Sequence, residues 1–281
     1  GEYKQAFKNS NLTLDFGHTN GYRNASSTKK LGDKSHLFLN FLNNYNKTED
    51  INQNIEVNLE HVSNKKYLKL YKIDSNLVNY ETEVLENFID YSVINDDKNH
   101  FYSLNASAYR TLADSYNDKY EYILPEIEYD KQLFSDKFGY GNLKSNLKIH
   151  NYDTNKYKKT LINNFNWEID RPFSEKIFNG KILSGLKNIN YEYDNVKGFK
   201  TNSNNELFGA VGYLASLDLF KNTVSGSNHL LKPKILLKYA PNYMRKEAGD
   251  HNLAKKNLFS LDRLQSEQNY EEGINITIGL N

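Results

Sequence analysis

A polar/apolar alternation that restarts along the chain limits what this sequence can fold into. Asn142-Leu143-Lys144-Ser145-Asn146-Leu147-Lys148-Ile149 is one run. Ile55-Glu56-Val57-Asn58-Leu59-Glu60 is a second, and Glu272-Gly273-Ile274-Asn275-Ile276-Thr277-Ile278-Gly279-Leu280 a third. Side chains of a β-strand point to opposite faces in turn, so each run has one apolar and one strongly polar face. Two architectures use such strands. A water-soluble sandwich packs short strands apolar face to apolar face. A membrane barrel turns the apolar face to lipid and the polar face to a wet lumen.

Composition bears on that choice. The 281-residue chain is only 38% hydrophobic, yet 14% aromatic, with 22 Tyr and 15 Phe. Its mean hydropathy of -0.77 does not mean disorder, because disordered chains are poor in aromatics. A polar average with many aromatics and strong alternation fits a barrel with a wet interior. The net charge of +1 comes from 36 basic and 35 acidic residues, evenly mixed, and the absence of a basic block argues against a nucleic-acid partner. Cysteine is absent, which excludes disulfides, Cys-based zinc sites and a Cys nucleophile within this stretch. No run approaches the roughly 18 apolar residues of a membrane-crossing helix, whereas a barrel strand needs only about 9–11. Gly1 follows no Met or signal peptide, and Asn281 ends an alternating run. The chain therefore reads as a piece excised from a longer protein.

Candidate strands fall near residues 10–18, 35–44, 53–62, 77–91, 100–112, 119–130, 141–152, 158–169, 175–184, 186–194, 207–220, 229–239 and 272–281. These are about thirteen strands, one per roughly 22 residues, a spacing that suits long strands joined by unequal loops. Connections such as 20–34, 63–76, 195–206 and 221–228 are rich in turn residues. The longest interruption is 240–270, and its 252–264 part suits a short helix or an inward-folded loop. Pro125 and Pro233 lie inside strand-like segments, where they fit a bulge or an unpaired position. Tyr22, Tyr45, Tyr91, Tyr152, Tyr157, Tyr191, Tyr193, Tyr239 and Tyr243 gather where strands end. They suit a water–lipid boundary, or serve as ordinary strand formers.

The sequence carries little that reads as catalytic. His18, His36, His61, His100, His150, His229 and His251 are scattered without ligand spacing, and they read as surface or lumen residues. Gly139-Tyr140-Gly141 reads as a turn between strands, since no helix or Lys-Ser/Thr follows. No Gly-x-Ser-x-Gly elbow is present. Carboxylates at i and i+2, as in Glu81, Glu83 and Glu86 or Glu126, Glu128 and Asp130, share a strand face and could in principle do acid/base work. In a barrel they stand opposite Lys of neighbouring strands. The expectation is a protein that is not an enzyme and that needs no cofactor or metal.

Three C-terminal segments carry a resemblance. They are Leu231-Lys232-Pro233-Lys234-Ile235-Leu236-Leu237-Lys238-Tyr239-Ala240-Pro241, then Leu258-Phe259-Ser260-Leu261-Asp262-Arg263-Leu264, then Glu272 to Leu280. In this order they resemble the barrel of the LptD family, the lipopolysaccharide-assembly or organic solvent tolerance proteins. Upstream, His61-Val62-Ser63-Asn64-Lys65-Lys66-Tyr67-Leu68 resembles that family's loop after an early barrel strand, and Tyr120–Tyr129 resembles its Leu-Pro strand. The resemblance runs from about residue 35 to the end. It implies a Gram-negative outer-membrane barrel of about two dozen strands, plugged by an LptE-type lipoprotein and fed by an LptA-type periplasmic bridge through an N-terminal domain. It further implies that lipid A leaves through a seam between the first and last strands while the sugar passes through the lumen. The chain departs from the pattern in extent. Residues 1–281 would be a fragment covering roughly half the barrel, without the periplasmic domain, the family's disulfide cysteines and the later strands. The strand-breaking prolines beside the seam have no counterpart in residues 1–40.

On this reading the chain is an all-β, antiparallel transmembrane barrel segment of an outer-membrane translocon that inserts lipopolysaccharide into the outer leaflet. The alternatives are another outer-membrane barrel, such as a porin or receptor, and a soluble β-rich carbohydrate-binding domain. Leu143, Leu147, Ile149, Ile274, Ile276, Ile278 and Leu280 are expected to face lipid. Glu56, Asn58, Glu60, Lys144, Lys148, Asn275 and Thr277 are the candidates for the lumen, since a one-residue slip would put charges into hydrocarbon. Asp262 and Arg263 are candidates for a structural loop. Leu258, Phe259, Leu261 and Leu264 stand too close together for an exposed loop, so the segment is expected to fold against the wall, with Arg263 paired to a carboxylate or carbonyls and Asp262 capping a turn.

Overall fold

The computed structural model describes residues 1–20, 33–113, 120–153, 156–171, 178–196, 201, 203–222, 228–241, 243–244, 255–264 and 266–280. The strands are β1 (Glu2–Ala6), β2 (Ser10–Asn20), β3 (Asp33–Thr48), β4 (Ile51–Val62), β5 (Val84–Asn95), β6 (His100–Thr111), β7 (Tyr120–Ser135) and β8 (Gly139–Asp153). They continue as β9 (Lys156–Asp170), β10 (Asn179–Asp194), β11 (Asn204–Ser216), β12 (Leu219–Asn222), β13 (Asn228–Leu231), β14 (Pro233–Ala240) and β15 (Gly273–Leu280). One short helix, α1 (Tyr67–Tyr71), and a 3-10 turn at Lys255–Asn257 complete the list. Thirteen strands form one sheet in the order β1 to β11, then β14 and β15, and the paired registers are antiparallel. Strands β12 and β13 form a separate hairpin. Among the described residues no helix is long and apolar enough to cross a membrane, which says nothing of crossing by strands.

The expected strands are largely present, and the differences have local causes. β10 is one strand of 16 residues where two were expected, because Gly185 stays extended within it. β1 was not expected. Residues 77–83 are connection rather than strand, so Glu81 and Glu83 precede β5 and do not share a strand face with Glu86. Short connections at 7–9, 49–50, 96–99 and 136–138 alternate with the long 21–32, 63–83 and 112–119, and the alternation stops at 154–155. Gly139 opens β8 with φ +90°, and a Cβ there would lie 2.0 Å from the Glu168 carbonyl oxygen, so this position requires glycine.

The chain divides into two units, Gly1–Tyr129 with Asn146–Thr160 and Glu192–Ser203, and Asp130–Ser145 with Leu161–Tyr191 and Asn204–Asn281. In the first unit, register places Leu14, Leu39 and Leu59 in one row and Phe41 beside Val57, while Phe16, Leu37 and Leu59 are exposed. The opposite face carries Asn40, Glu56, Asn58 and Glu60, and also Phe38, which is fully buried. The 63–83 connection covers that face. Tyr67 and Leu68 of α1, with Val78, pack against Phe38, Val62, Leu85 and Leu112. The helix stops at Lys72, whose left-handed backbone (φ 47°) lets its N–H donate back to the Leu68 carbonyl. The β4–β5 pairing ends at Asn58 opposite Phe88. Beyond it side chains take over, with Glu60 N–H donating to Asn87 Oδ1 (2.8 Å) and Glu86 N–H to Glu60 Oε2 (2.8 Å).

His36 corrects the surface reading of the histidines. It is 7% exposed, stacked on Phe38, with Nδ1 3.2 Å from the Tyr67 hydroxyl and Nε2 3.4 Å from Asp15 Oδ1. The alternation puts His36 on the face that α1 covers. Tyr191 and Tyr193 likewise depart from the boundary reading. They are buried at 6% and 1% exposure, on the same face of β10 as Lys187. Tyr45, Tyr239 and Tyr243 are exposed. Tyr22, the Tyr152 side chain and His251 lie outside the described residues.

Candidate functional site

In the second unit the two sheet faces differ in kind. On β15, Ile274, Ile276, Ile278 and Leu280 are exposed at 78%, 64%, 75% and 67%. Ile235, Leu237 and Tyr239 of β14 and Leu207 and Val211 of β11 are exposed on the same side. The opposite face carries Leu183, Gly185 and Lys187 of β10, Phe208, Ala210 and Gly212 of β11, Leu236 and Lys238 of β14, and Asn275, Thr277 and Gly279 of β15. A segment of the β14–β15 connection, Asn257 to Glu271, folds onto this second face.

Glycines let the segment seat. A Cβ at Gly185 would lie 2.7 Å from the Tyr270 hydroxyl, one at Gly212 2.8 Å from Leu261 Cδ2, and one at Gly279 2.8 Å from Phe259 Cζ. Three strands thus offer sockets to three side chains of one loop, and a Cβ at any of the three would make the seated side chain shift. Tyr270 stacks on Phe208 with centroids 6.4 Å apart. Ser260 holds the turn, its hydroxyl donating to the carbonyls of Asn257 (2.7 Å) and Asp262 (2.9 Å).

Buried charges then fix the segment to the strands. Lys187 Nζ donates to the carbonyls of Ser266 (2.5 Å) and Asn269 (3.1 Å), reaches Asp262 Oδ2 at 3.4 Å, and sits 5.6 Å from the centre of the Tyr270 ring. Lys238 Nζ donates to Glu271 Oε2 at 2.8 Å, with its side chain 1% exposed. Arg263 Nε donates to both Glu271 oxygens at 2.9 Å, and its Nη2 donates to Glu271 Oε1 and, at 3.2 Å, to Asn275 Oδ1. The planar guanidinium holds three acceptors at once. Asp262 meets Lys187, and the turn-holding role expected of it belongs to Ser260.

Burial pushes the Glu271 pKa up, but the hydrogen bonds from Arg263 and Lys238 and the charges of both cations outweigh it, and the carboxyl sits below its usual range. Burial, with the Asp262 and Glu271 carboxylates nearby, pushes the Tyr270 hydroxyl up, so it stays protonated at neutral pH. A depressed carboxylate stabilises the fold above its unfolded pKa and loses that contribution as pH falls through the folded value. Docking of the segment is therefore expected to be constant through neutral pH and down to the ordinary carboxylate range, and to weaken only below it. Protease cleavage within 257–271, followed against pH, measures this. Cleavage that rises already between pH 8 and 6 would contradict the assignment.

The polar-face candidates elsewhere pair between neighbouring strands or along one strand. In the second unit Lys144 lies 3.2 Å from Asp130, and in the first Lys148 lies 3.2 Å from Glu126. Asn40 donates to Glu56 Oε1 (3.2 Å), and Asn58 to Glu60 Oε1 (3.1 Å). Leu143, Leu147 and Ile149 are half-buried on the face opposite these lysines. Beside the docked segment lies a cavity of about 680 Å³, lined by Lys144, Asn164, Asn166, Glu168, Asp262 and Tyr270 among others. Among the described residues no group of three His, Asp or Glu could hold a metal ion. Sequence reasoning missed Lys187, Lys238, Glu271 and the socket glycines. The signal for the lysines lay in the outward series Ile235, Leu237, Tyr239, which leaves Lys238 to the other face.

The class these features define is an antiparallel β-wall with an exposed apolar face and a polar face on which the chain's own connections are docked. The model of one family, LptD, LPS transport system D, matches residues 40–281. The chain belongs to this family, whose members are outer-membrane components of lipopolysaccharide transport. No curated protein matches the chain.

Proposed function

We propose that the 13-stranded sheet is part of the wall of a transmembrane β-barrel of about two dozen strands, and that the protein inserts lipopolysaccharide into the outer leaflet of the outer membrane without catalysing a reaction. The observation that carries this is the contrast on β15, where Ile274, Ile276, Ile278 and Leu280 are bare while Asn275 receives Arg263. Lipid offers no hydrogen-bond partners, so a spanning wall must satisfy its backbone between strands, and every strand of the main sheet between β1 and β15 has a partner on each side. Glu56, Asn58, Glu60, Lys144, Lys148, Asn275 and Thr277 then line the lumen, where a hydrated saccharide passes. Family membership supports an LptE-type lipoprotein as the plug, and an LptA-type bridge as the periplasmic donor acting through a domain outside residues 1–281. Asp262 and Arg263 serve as structural residues that hold the 257–271 segment inside the wall.

Arg263→Ala in the whole protein tests the last assignment. Glu271 keeps Lys238 as a partner, so the expected effect is partial: a lower yield of folded barrel by heat-modifiable electrophoresis, and cells sensitised to large hydrophobic antibiotics. Unchanged assembly with an intact permeability barrier would remove Arg263 from the functional residues.

A further inference from the structure

The hairpin β12–β13 is unlike the rest of the chain. It leaves the main sheet between β11 and β14 and pairs only with itself. Its register sets Leu219 opposite Leu231 and Phe220 opposite Leu230. Cross-strand partners share a face and successive residues alternate, so both faces of the ribbon base are apolar. All four side chains are exposed, Leu219 at 45%, Phe220 at 76%, Leu230 at 56% and Leu231 at 46%. An isolated two-stranded ribbon is at best marginally stable in water, and this one leaves its four apolar side chains exposed.

The surroundings indicate what covers it. In parity, Leu219 and Leu231 continue the series Tyr213, Ala215, Leu217 and Leu237, Ile235, Pro233 that marks the outward face of β11 and β14. An apolar hollow of about 170 Å³ at the junction is lined by Phe178, Leu217, Pro233, Ile235 and Ile278, so apolar surface runs from the wall to the base of the hairpin. Polar groups flank the apolar pairs on both sides. Asp218 pairs with Lys232 at 2.8 Å below them and receives a 3.0 Å hydrogen bond from Asn179. On the other side of the apolar pairs His229 is exposed. An apolar layer two residues deep next to a charged pair matches the boundary between lipid headgroups and acyl chains.

We propose that the β12–β13 hairpin is a membrane-interface anchor, with Leu219, Phe220, Leu230 and Leu231 seated among lipid at the headgroup–acyl boundary beside the wall. The proposal rests on the reading that the outward face of β14 and β15 meets lipid. It commits to lipid because Leu219 and Leu231 continue that face in parity, and because the ribbon, unpaired with the main sheet, carries no charge among its four exposed apolar side chains.

Residues 1–281 contain no cysteine, so Phe220→Cys, Leu230→Cys and Ile276→Cys place single labels in this part of the chain, all at exposed positions where packing is not disturbed. The intact protein is labelled with a polarity-sensitive fluorophore in phosphatidylcholine–phosphatidylglycerol vesicles, and quenching by nitroxide-labelled lipid is compared with quenching by iodide. Labels at 220 and 230 are expected to be quenched severalfold more by the lipid nitroxide than by iodide, as is the label at 276. Iodide quenching at 220 and 230 with lipid quenching at 276 would overturn the anchor and leave the wall reading intact. Protection from both quenchers at 220 and 230 would mean a covering protein, and would also overturn the anchor. Iodide quenching at 276 would overturn the wall reading and the anchor with it.

Discussion

Glu271→Ala is expected to cost the folded protein about 3–5 kcal/mol, the loss typical of removing one partner from a buried charge pair. The size follows from what is left behind. Lys238 is 1% exposed at its side chain and Arg263 16%, and Glu271 is the one carboxylate that both reach among the described ion pairs. Its removal strands two cations on one face of β14 and β15, away from bulk water. Arg263→Ala is milder because the carboxylate keeps Lys238. Glu271→Gln separates charge from shape, since the amide keeps an acceptor for Arg263 but cannot neutralise either cation. The ranking Glu271→Ala ≥ Glu271→Gln > Arg263→Ala in denaturant midpoints is the expected result. Equal, sub-kilocalorie effects for all three would mean that solvent reaches the cluster and that the docked segment is not held by charge.

How much of this was legible in the sequence depends on which physical signal each element leaves. The strands were legible because alternation is local. Asn275, Thr277 and the Ile series follow from a period of two, and so do the places of Lys144 and Lys148. The inward fold of the segment around Leu261 was legible because four apolar side chains close together cannot all be solvated cheaply. What covers a face was not. Phe38 and Leu85 are core because Tyr67, Leu68 and Val78 arrive from a connection that reads as polar turn, and no local pattern announces that arrival. The same holds for Tyr191 and Tyr193, which read as boundary residues yet sit buried. Lys187 is the instructive miss. A lysine beside Leu186 in an alternating strand reads as a solvated position, but its partners, Asp262 and two loop carbonyls, lie about eighty residues later. Asp262 was expected to cap a turn and instead meets Lys187 for the same reason, since capping is a local event and Lys187 is distant. The glycines left only an ambiguous trace, because β10, β11 and β15 each carry a second glycine, Gly180, Gly209 and Gly273, that seats no side chain of the loop. Only the structure shows that the trace means three sockets for one loop.

Ile276→Arg carries the second large effect, and it tests the environment of the wall rather than its geometry. Ile276 is 64% exposed and lies beside Leu237 of β14, with Ile274 and Ile278 above and below it on the same face. In water an Arg at so bare a position changes stability by no more than about 0.5 kcal/mol, because nothing packs against it and its charge is solvated. In hydrocarbon near the bilayer midplane the same change costs about 2–4 kcal/mol. The two environments therefore predict outcomes that do not overlap. Lys144→Gln is the matching control on the other face. Its partner Asp130 is 3.2 Å away and 20% exposed, while the lysine side chain is 49% exposed, so the pair is partly solvated and its loss is expected to cost about 1 kcal/mol. Denaturant unfolding of the intact protein from lipid vesicles measures both. A cost of several kilocalories for Ile276→Arg with a small cost for Lys144→Gln assigns lipid to one face and water to the other. A small cost for both would place water on each side of the sheet and overturn the reading of the β15 isoleucines as lipid-facing.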